Sequence, residues 1–200
     1  SDAIRLNTQV FSVNTLESGV EVRSSAGIEQ FDGVVLAGHT DQSNALLNAD
    51  QAPLKALLSG IRYAENDVVL HTDVTQMPAN RRAWASWNYR IQEQKDTLGA
   101  VVTYDMNRLQ NLRGPHQFFV TLNNTQRIRE EHILGQWSYA HPQFGPRSLS
   151  IQAQIDAQNQ GQPIVVCGAW CRNGFHEDGV VSGEKAANAL KHSLGIACTR

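Results

Sequence analysis

The sequence has 200 residues and a mass of 22.1 kDa, a length that fits one large domain or two small ones with a real hydrophobic core. Its 17 lysines and arginines against 19 acids give a net charge of −2, which is not the basic footprint of a nucleic-acid-binding protein. No apolar run has the roughly 18 residues of a membrane helix, and residues 1–5 show no signal peptide. We therefore expect no nucleic-acid partner and no integral membrane segment.

Cysteine usage bears on compartment and on metal binding. Cys167, Cys171 and Cys198 are odd in number and sparse, which argues against a secreted disulfide framework and favours a reducing cytoplasm. The paired Cys-x-x-Cys spacing of a zinc site is absent. We therefore predict no metal site and interpret Cys167 as a small apolar residue in a buried strand.

The first 60 residues show strand periodicity followed by helix periodicity. Residues 8–13 and 20–24 predict a β-hairpin, and residues 27–31 a third strand. The apolar run at residues 33–37 is typical of a strand buried on both faces. Two short helices are then predicted, at residues 42–48 and 53–58.

The middle of the chain predicts an antiparallel sheet rich in aromatic residues. Its strands are predicted at residues 67–73, 83–89, 100–105 and 117–122. Alternation along the second of these places Trp84 and Trp87 on opposite faces. Arg81 and Arg82 are typical of a solvated turn, and the alternative is that they attract an acidic head group of a substrate. Ser148 is predicted to cap a helix that ends near Asn159, and residues 162–168 then form a second buried strand.

The last helix is the sharpest local feature. Small and apolar residues recur along one side of it, at Ala186, Ala187, Leu190 and Leu194. This stripe predicts close packing on a sheet. A glycine-punctuated loop at residues 168–178 leads into the helix, whose free N–H groups and partial positive charge suit an anionic or carbonyl-bearing cofactor. For His176, Glu177 and Asp178 two roles stay open, an acid/base or metal cluster and, for Asp178, a helix cap. Adjacent residues at a helix start point in different directions, which argues against a shared metal ion.

Familiar nucleotide-binding and catalytic motifs are missing. The sequence contains no Gly-x-Gly, hence no dinucleotide fingerprint, and also no phosphate loop, no Gly-x-Ser-x-Gly elbow and no His-Glu-x-x-His. The chain therefore lacks a complete mononucleotide site of a familiar kind.

Several stretches together resemble a known family. Residues 174–187, with the sequence GFHEDGVVSGEKAA, resemble the C-terminal FAD-binding segment of the flavin-containing amine oxidase superfamily. Residues 5–13 and 31–37 are similar to the strands that precede that family's substrate domain. The blocks LHTD, WASWNY, TYDMNRLQ and FVTLN, which begin at residues 70, 84, 103 and 119, resemble a bacterial branch of predicted NAD/FAD-binding oxidoreductases whose relatives are linked with cyclopropane fatty acid synthases.

The resemblance implies an α+β fold and a domain organisation. Residues 1–40 and 162–200 would form an incomplete FAD-domain remnant, and residues 41–161 a substrate domain, an antiparallel or mixed sheet with helices on one side. The N-terminal Rossmann segment of the same polypeptide, with its glycine motif, would be missing. The remnant is then expected to expose apolar surface on residues 34–37 and 164–167, and to favour a homodimer.

The resemblance also implies site residues. Val10 would contact the adenine through its main chain, and Gly168 with Ala169 would pass near the ribityl and diphosphate. Phe175, after Gly174, would lie beside the isoalloxazine ring, and the N–H groups of His176 and Glu177 would face flavin N1 and the C2 carbonyl. The sequence departs from the family at Trp170, where an acid is common, and at Phe175, which lacks the frequent phenol; both weaken the case for amine chemistry.

The leading hypothesis is therefore an FAD-dependent oxidoreductase that transfers a hydride from a small-molecule substrate to flavin N5. The substrate would be an amine or lipid-like, in a pocket walled by Trp84, Trp87 and Tyr104, and the isolated chain would be inactive. One alternative is a non-catalytic binding or interaction domain that cannot hold FAD as a fragment. A third, weaker hypothesis is a cofactor-free hydrolase that uses His71 or His176.

Overall fold

The computed structural model describes residues 4–94 and 97–196. Within these ranges the strands are β1 (Val10–Thr15), β2 (Val20–Ser24), β3 (Gly27–Phe31), β4 (Val34–Leu36), β5 (Arg62–His71), β6 (Trp87–Gln94), β7 (Thr97–Asp105), β8 (Phe119–Leu122), β9 (Ile133–Gln143) and β10 (Ile164–Val166). The α-helices are α1 (Thr40–Leu46), α2 (Ala52–Leu58), α3 (Met106–Leu109), α4 (Pro146–Gln158) and α5 (His176–Ser193). The predicted α+β class is confirmed. No helix in the described ranges has the length and apolar character that a membrane crossing requires.

The chain forms two compact units. Unit 1 comprises Ser1–Tyr63 and Pro142–Arg200, and unit 2 comprises Ala64–His141. Both segments predicted as the FAD-domain remnant lie within unit 1, and all of unit 2 lies within the predicted substrate domain. The functional assignment of these segments stays a prediction. Cys198 lies outside the described residues.

Unit 1 contains the predicted N-terminal meander. Strands β1, β2 and β3 pair antiparallel in sequence order, so the hairpin prediction is confirmed. Val13 and Val20 point inward and are fully buried. Gly19 forms the turn between β1 and β2 with φ of +96°, and a Cβ there would overlap the carbonyl oxygen of Phe31, so only glycine fits this turn.

A parallel pair of short strands, β4 and β10, forms the second sheet of unit 1. All three residues of β10 are buried, with Val165 packed against Ala186 of α5. The expectation that residues 164–167 expose apolar surface is therefore wrong, because the helices of unit 1 already cover them. Val35, beside the covered Val165, is 38% exposed, so residues 33–37 are not buried on both faces. The expectation of exposed apolar surface on residues 34–37 is confirmed at Val35.

The side chain of Asn159 closes the outer edge of β10. Its Nδ2 donates to the carbonyl of Val166 at 2.9 Å, and its Oδ1 accepts from the Val166 N–H at 3.0 Å. Asn159 is only 4% exposed, so both bonds are shielded from water. One amide side chain thus satisfies the main-chain groups that a neighbouring strand would otherwise pair.

Two predictions about helix packing need correction. Helix α4 begins at Pro146, so its start is earlier than predicted, but Ser148 does cap the helix: from the first turn its hydroxyl accepts from the Gly145 N–H at 2.6 Å. On α5, Ala187 and Leu194 are exposed. The buried stripe instead runs through Ser182, Ala186 and Ala189. The spacing of four and three residues follows the helical period more closely than the predicted stripe.

Unit 2 contains a five-stranded sheet in the order β6-β7-β8-β5-β9. The pairs β6–β7, β7–β8 and β5–β8 are antiparallel, which confirms the predicted sheet for these strands. Strand β9 was not predicted. The strand predicted at residues 83–89 begins only at Trp87, because residues 81–83 form a 3-10 turn, so Trp84 precedes the strand rather than alternating within it.

One face of the unit 2 sheet carries a buried polar chain. His71 Nε2 lies 2.7 Å from the Thr121 hydroxyl, which lies 2.8 Å from the Thr103 hydroxyl. The His71 Nδ1 accepts from the Asp73 N–H at 3.1 Å, so Nε2 carries the proton of the neutral ring and donates to Thr121. Burial lowers the pKa of His71 to about 4.

Asp73 continues this buried face. Its carboxylate accepts from the N–H and hydroxyl of Thr75 and from the N–H and guanidinium of Arg129, at 2.7 to 3.1 Å. Burial by itself would raise the pKa of Asp73, but these hydrogen bonds outweigh it and hold the pKa below its usual range.

The edge closure by Asn159 can be tested by mutation. Asn159→Ala leaves the N–H and C=O of Val166 buried without partners, so we expect a loss of about 3 kcal/mol of unfolding free energy. Denaturant unfolding measures it. Gln160→Ala, on the exposed neighbour, is the matched control and should stay within about 0.5 kcal/mol of wild type. Equal effects of the two substitutions would contradict the proposed role.

The buried His71 predicts a pH dependence of stability. The pKa is lower in the folded than in the unfolded chain, so stabilisation is complete above the unfolded pKa and is lost as pH decreases toward the folded pKa. Between about pH 7 and about pH 4 we expect a loss of about 3 kcal/mol of unfolding free energy from this group. His71→Gln should remove that pH dependence, whereas His116→Gln, on an exposed histidine of the same unit, should retain it. Denaturant unfolding at several pH values measures both.

Candidate functional site

The carboxyl ends of β4 and β10 meet at one edge of the parallel sheet of unit 1. Gly38 follows β4, and the segment from Gly168 to Phe175 connects β10 to α5. Ligands of open α/β sheets bind at this kind of edge, where loops leave the strands and a helix begins. The residues predicted from the sequence for cofactor contact, apart from Val10, lie in this segment and in the first turn of α5.

Trp170 fixes the start of the segment. It is 3% exposed, and its Nε1 donates to the carbonyl of Gly38 at 3.3 Å. A Cβ at Gly168 would lie 2.6 Å from the Trp170 Cδ1, so this close approach of main chain and indole requires glycine. The segment after β10 is thus bound to the segment after β4.

Ser182 joins the same segment to α5. Its Oγ accepts from the Gly168 N–H at 3.0 Å and lies 2.9 Å from the Gly179 carbonyl. Ser182 was not among the predicted site residues. Its position one helical turn before Ala186 was the available signal that it faces the sheet.

The loop itself is tight and cross-linked. The carbonyl of Ala169 accepts from the N–H groups of Arg172 and Gly174, at 3.2 and 3.1 Å. From α4, Gln152 donates to the carbonyls of Trp170 and Arg172 at 2.8 and 2.7 Å. The structure therefore brings Gly168, Ala169 and Gly174 together in one braced loop.

The first turn of α5 is organised by Asp178. Its carboxylate accepts from the N–H groups of Asn173 and Phe175, each at 3.1 Å, so its predicted capping role is confirmed. His176 and Glu177 occupy the first two helical positions, whose N–H groups have no intrahelical partner. Their side chains are exposed, and Phe175 is 66% exposed. This turn presents free donors next to an accessible aromatic ring.

Other titratable side chains near this edge are the stacked pair of His39 and Tyr63, and Cys171. The ring of His39 stacks on Tyr63 with centroids 4.5 Å apart, and the Tyr63 hydroxyl accepts from the Thr40 N–H at 3.1 Å. Burial raises the pKa of Tyr63. Burial also raises the pKa of Cys171 to about 12, so its thiol stays protonated and is not a nucleophile near neutral pH.

Val10 lies in another part of unit 1. It is half-buried on the edge strand β1, where it packs against the hydrophobic core and pairs with Ser24 of β2. As the edge strand of its sheet, β1 presents one row of main-chain groups away from β2.

The predicted pocket residues lie on the sheet of unit 2. Trp87 and Tyr104 are directly opposite each other on β6 and β7, and burial raises the pKa of Tyr104. Tyr89 and Ile91 are exposed on the same side of β6. We call the surface formed by Trp87, Tyr89, Ile91 and Tyr104 the aromatic face. Trp84 is not part of it.

Trp84 instead contacts the opposite face of the sheet. Its ring meets Phe119 edge-on with centroids 5.7 Å apart. Phe119 pairs with Asp105, whereas Tyr104 pairs with the next residue of β8, Val120, and successive strand residues point to opposite faces. The structure therefore brings Trp87 and Tyr104 together and separates Trp84 from them.

The described part of the chain contains no cluster of side chains suited to binding a metal ion. Across residues 4–94 and 97–196, no group of three or more His, Cys, Asp or Glu side chains is arranged to hold a metal ion.

Comparison with known proteins identifies the fold. No protein-family model matches the chain, and no curated protein matches its sequence. A CLA-producing fatty acid isomerase from P. acnes matches with a TM-score of 0.58 and 12% identity, over 92% of this chain and 47% of that chain. Cyclohexylamine oxidase from Brevibacterium oxydans IH-35A matches with a TM-score of 0.57 and 13% identity, over 93% and 48%.

A third structure, reduced UDP-galactopyranose mutase, has a TM-score of 0.56 and 12% identity, over 96% of this chain and 47% of that chain. At these identities the likeness is one of fold. The chain spans about half the length of each of the three matched structures.

The capping role of Asp178 predicts a stability effect. Asp178→Ala removes the acceptor of two main-chain N–H groups, so we expect a loss of about 1 to 2 kcal/mol of unfolding free energy. Glu177→Ala is the matched control, because it removes an adjacent acid whose side chain is exposed; it should change stability by less than about 0.5 kcal/mol. Thermal or denaturant unfolding compares them, and an equal loss in both would contradict the assignment.

Proposed function

We propose that this chain is the C-terminal part of an FAD-dependent oxidoreductase of the amine oxidase kind. The observation that carries the proposal is the braced loop after β10, which leads into a helix start with free N–H donors at the carboxyl edge of a parallel sheet. Support comes from the fold shared with about half of each matched enzyme, one of which is an amine oxidase. Bound FAD would supply N5 as the acceptor of a hydride from a substrate carbon.

The residues at this edge fit such a cofactor. The N–H groups of His176 and Glu177 would donate to flavin N1 and the C2 carbonyl, where reduction places negative charge. The exposed ring of Phe175 would lie beside the isoalloxazine. The main chain of Gly168 and Ala169 would pass near the ribityl and diphosphate, and the main chain of Val10 would contact the adenine.

The aromatic face is the proposed wall of the substrate pocket. Trp87 and Tyr104 present adjacent rings on a half-exposed surface, which suits an apolar amine or a lipid-like substrate. Tyr104 would stay protonated near neutral pH, because burial raises its pKa. Trp84, which contacts Phe119 on the other side of the sheet, is left out of this wall.

The unpaired edge of β4 supports the proposal that a further segment of the same polypeptide packs beside this strand. Asn159 closes the outer edge of β10, whereas among the described residues no strand pairs with the second edge of β4. Purely parallel sheets are almost always buried on both faces, and most sheets have about four to six strands. We infer that the Rossmann segment of the same polypeptide adds a strand beside β4 and covers Val35. A second copy of the chain is the competing occupant.

The proposal predicts a visible absorption spectrum. The complete gene product should show the bands of oxidised flavin after purification or after addition of FAD, whereas the 200-residue chain alone should not. Bands in neither preparation would contradict the proposal and favour the non-catalytic binding domain.

A pair of substitutions in the complete protein tests the role of the helix start. His176→Pro removes a donor N–H at the first helical position, where proline is tolerated, and it should weaken FAD retention roughly tenfold. His176→Ala removes the side chain but keeps the N–H, so it should retain FAD like the wild type. Equal retention by both variants would exclude the proposed donor.

A further inference from the structure

A cleft in unit 2 has an arrangement of charges that the proposed function does not use. It measures roughly 400 Å³ and is lined by Arg81, Trp84, Asp105, Arg108 and Gln117, among other polar residues. This is within the size range of small-molecule sites. All of these residues belong to unit 2, and none lies on the aromatic face.

Arg81 is held in place without losing its hydrogen-bonding capacity. Its guanidinium lies over the Trp84 ring, 5.1 Å from the centroid. A guanidinium has five N–H donors, and the ring offers them no lone-pair acceptor. Within the described ranges, no acidic side chain forms an ion pair with Arg81.

Trp84 is in turn a rigid platform. Its Nε1 donates to the carbonyl of Pro78 at 2.7 Å, and its ring packs edge-on against the fully buried Phe119. A ring anchored by its polar atom and by its edge has little rotamer freedom. Contact with this fixed ring limits the freedom of the Arg81 side chain, which lowers the entropy cost of binding a ligand.

Arg108 is fixed from the opposite direction. Its Nε lies 3.2 Å from the carboxylate of Asp105, whose side chain is 1% exposed. Gln117 donates to the same carboxylate at 2.6 Å, and so does the N–H of Arg108 at 3.2 Å. The Asp105 charge is thus shared among donors of the protein, while the terminal nitrogens of the half-exposed Arg108 remain for a ligand.

We propose that this cleft binds the oxyanion of a small organic molecule, a carboxylate or a phosphate monoester, between the guanidinium groups of Arg81 and Arg108. Two guanidinium groups and one carboxylate line the cleft, so it has a surplus of positive charge in a chain with a net charge of −2. Arginine forks match the geometry of carboxylate and phosphate oxygens. The site does not depend on flavin.

The test is a titration of the 200-residue chain without FAD, followed by NMR at the tryptophan indole N–H groups. Phenyl phosphate and benzoate are the probes, and benzyl alcohol is the uncharged control. We expect at least one anion to bind and to shift the Trp84 signal, with weaker binding as salt increases. The tighter of the two anions identifies the preferred oxyanion.

Arginine variants separate a specific site from general attraction. Arg81→Gln should weaken anion binding roughly tenfold or more. Arg82→Gln is the matched control, since it removes the same charge from the adjacent residue, which does not line the cleft. The proposal is overturned if neither anion binds, if benzyl alcohol binds equally well, or if the two variants weaken binding equally.

Discussion

The side chain of Asn159 provides what a further strand would otherwise have to provide. Strands β4 and β10 have three residues each, too few to form a stable sheet alone. Both main-chain groups of Val166 are nevertheless paired in the protein interior, because one amide donates and accepts at once. With Val166 paired in this way, β10 is buried among helices, and the second edge of β4 has no partner strand in the described chain.

The candidate site follows from this closure. Burial of β10 fixes where the chain leaves the sheet, and the first residue after it, Cys167, is still buried. From there the chain has to turn back toward α5 in a short distance. Gly168 makes the turn possible beside Trp170, and Ser182 holds the turn on the helix. The free donors of α5 are thus positioned by packing, not by a nucleotide-binding motif.

Much of the fold was predictable from hydrophobic periodicity, and the predictions that failed did so for physical reasons. The hairpin of β1 and β2 follows from alternation around the buried Val13 and Val20. The pairing of β7 with β8 follows because one side of each of these two strands is buried. Strand β9 was missed because its residues are largely exposed on both sides, so alternation carries no signal. Trp84 was wrongly placed in a strand, because a 3-10 turn interrupts the run, although its predicted position on the face opposite Trp87 is confirmed. The role of Asn159 could not be predicted, because its side chain takes the place of a strand and the hydrophobic periodicity of the sequence carries no signal for that.

The buried acidic residues show that net charge does not reveal where charges are paired inside the protein. Asp73, Asp105 and Asp178 are each nearly inaccessible and each accept main-chain N–H groups, and each has one arginine within 3.1 to 3.9 Å. Asp105 and Asp178 have their arginines nearby in sequence, whereas Arg129 is 56 residues from Asp73. These arginines neutralise charge inside their own units. Arg81 differs, because its partner is a ring rather than an acid, so its charge is not neutralised within the described chain. A net charge near zero therefore conceals a local surplus that an anionic ligand would neutralise.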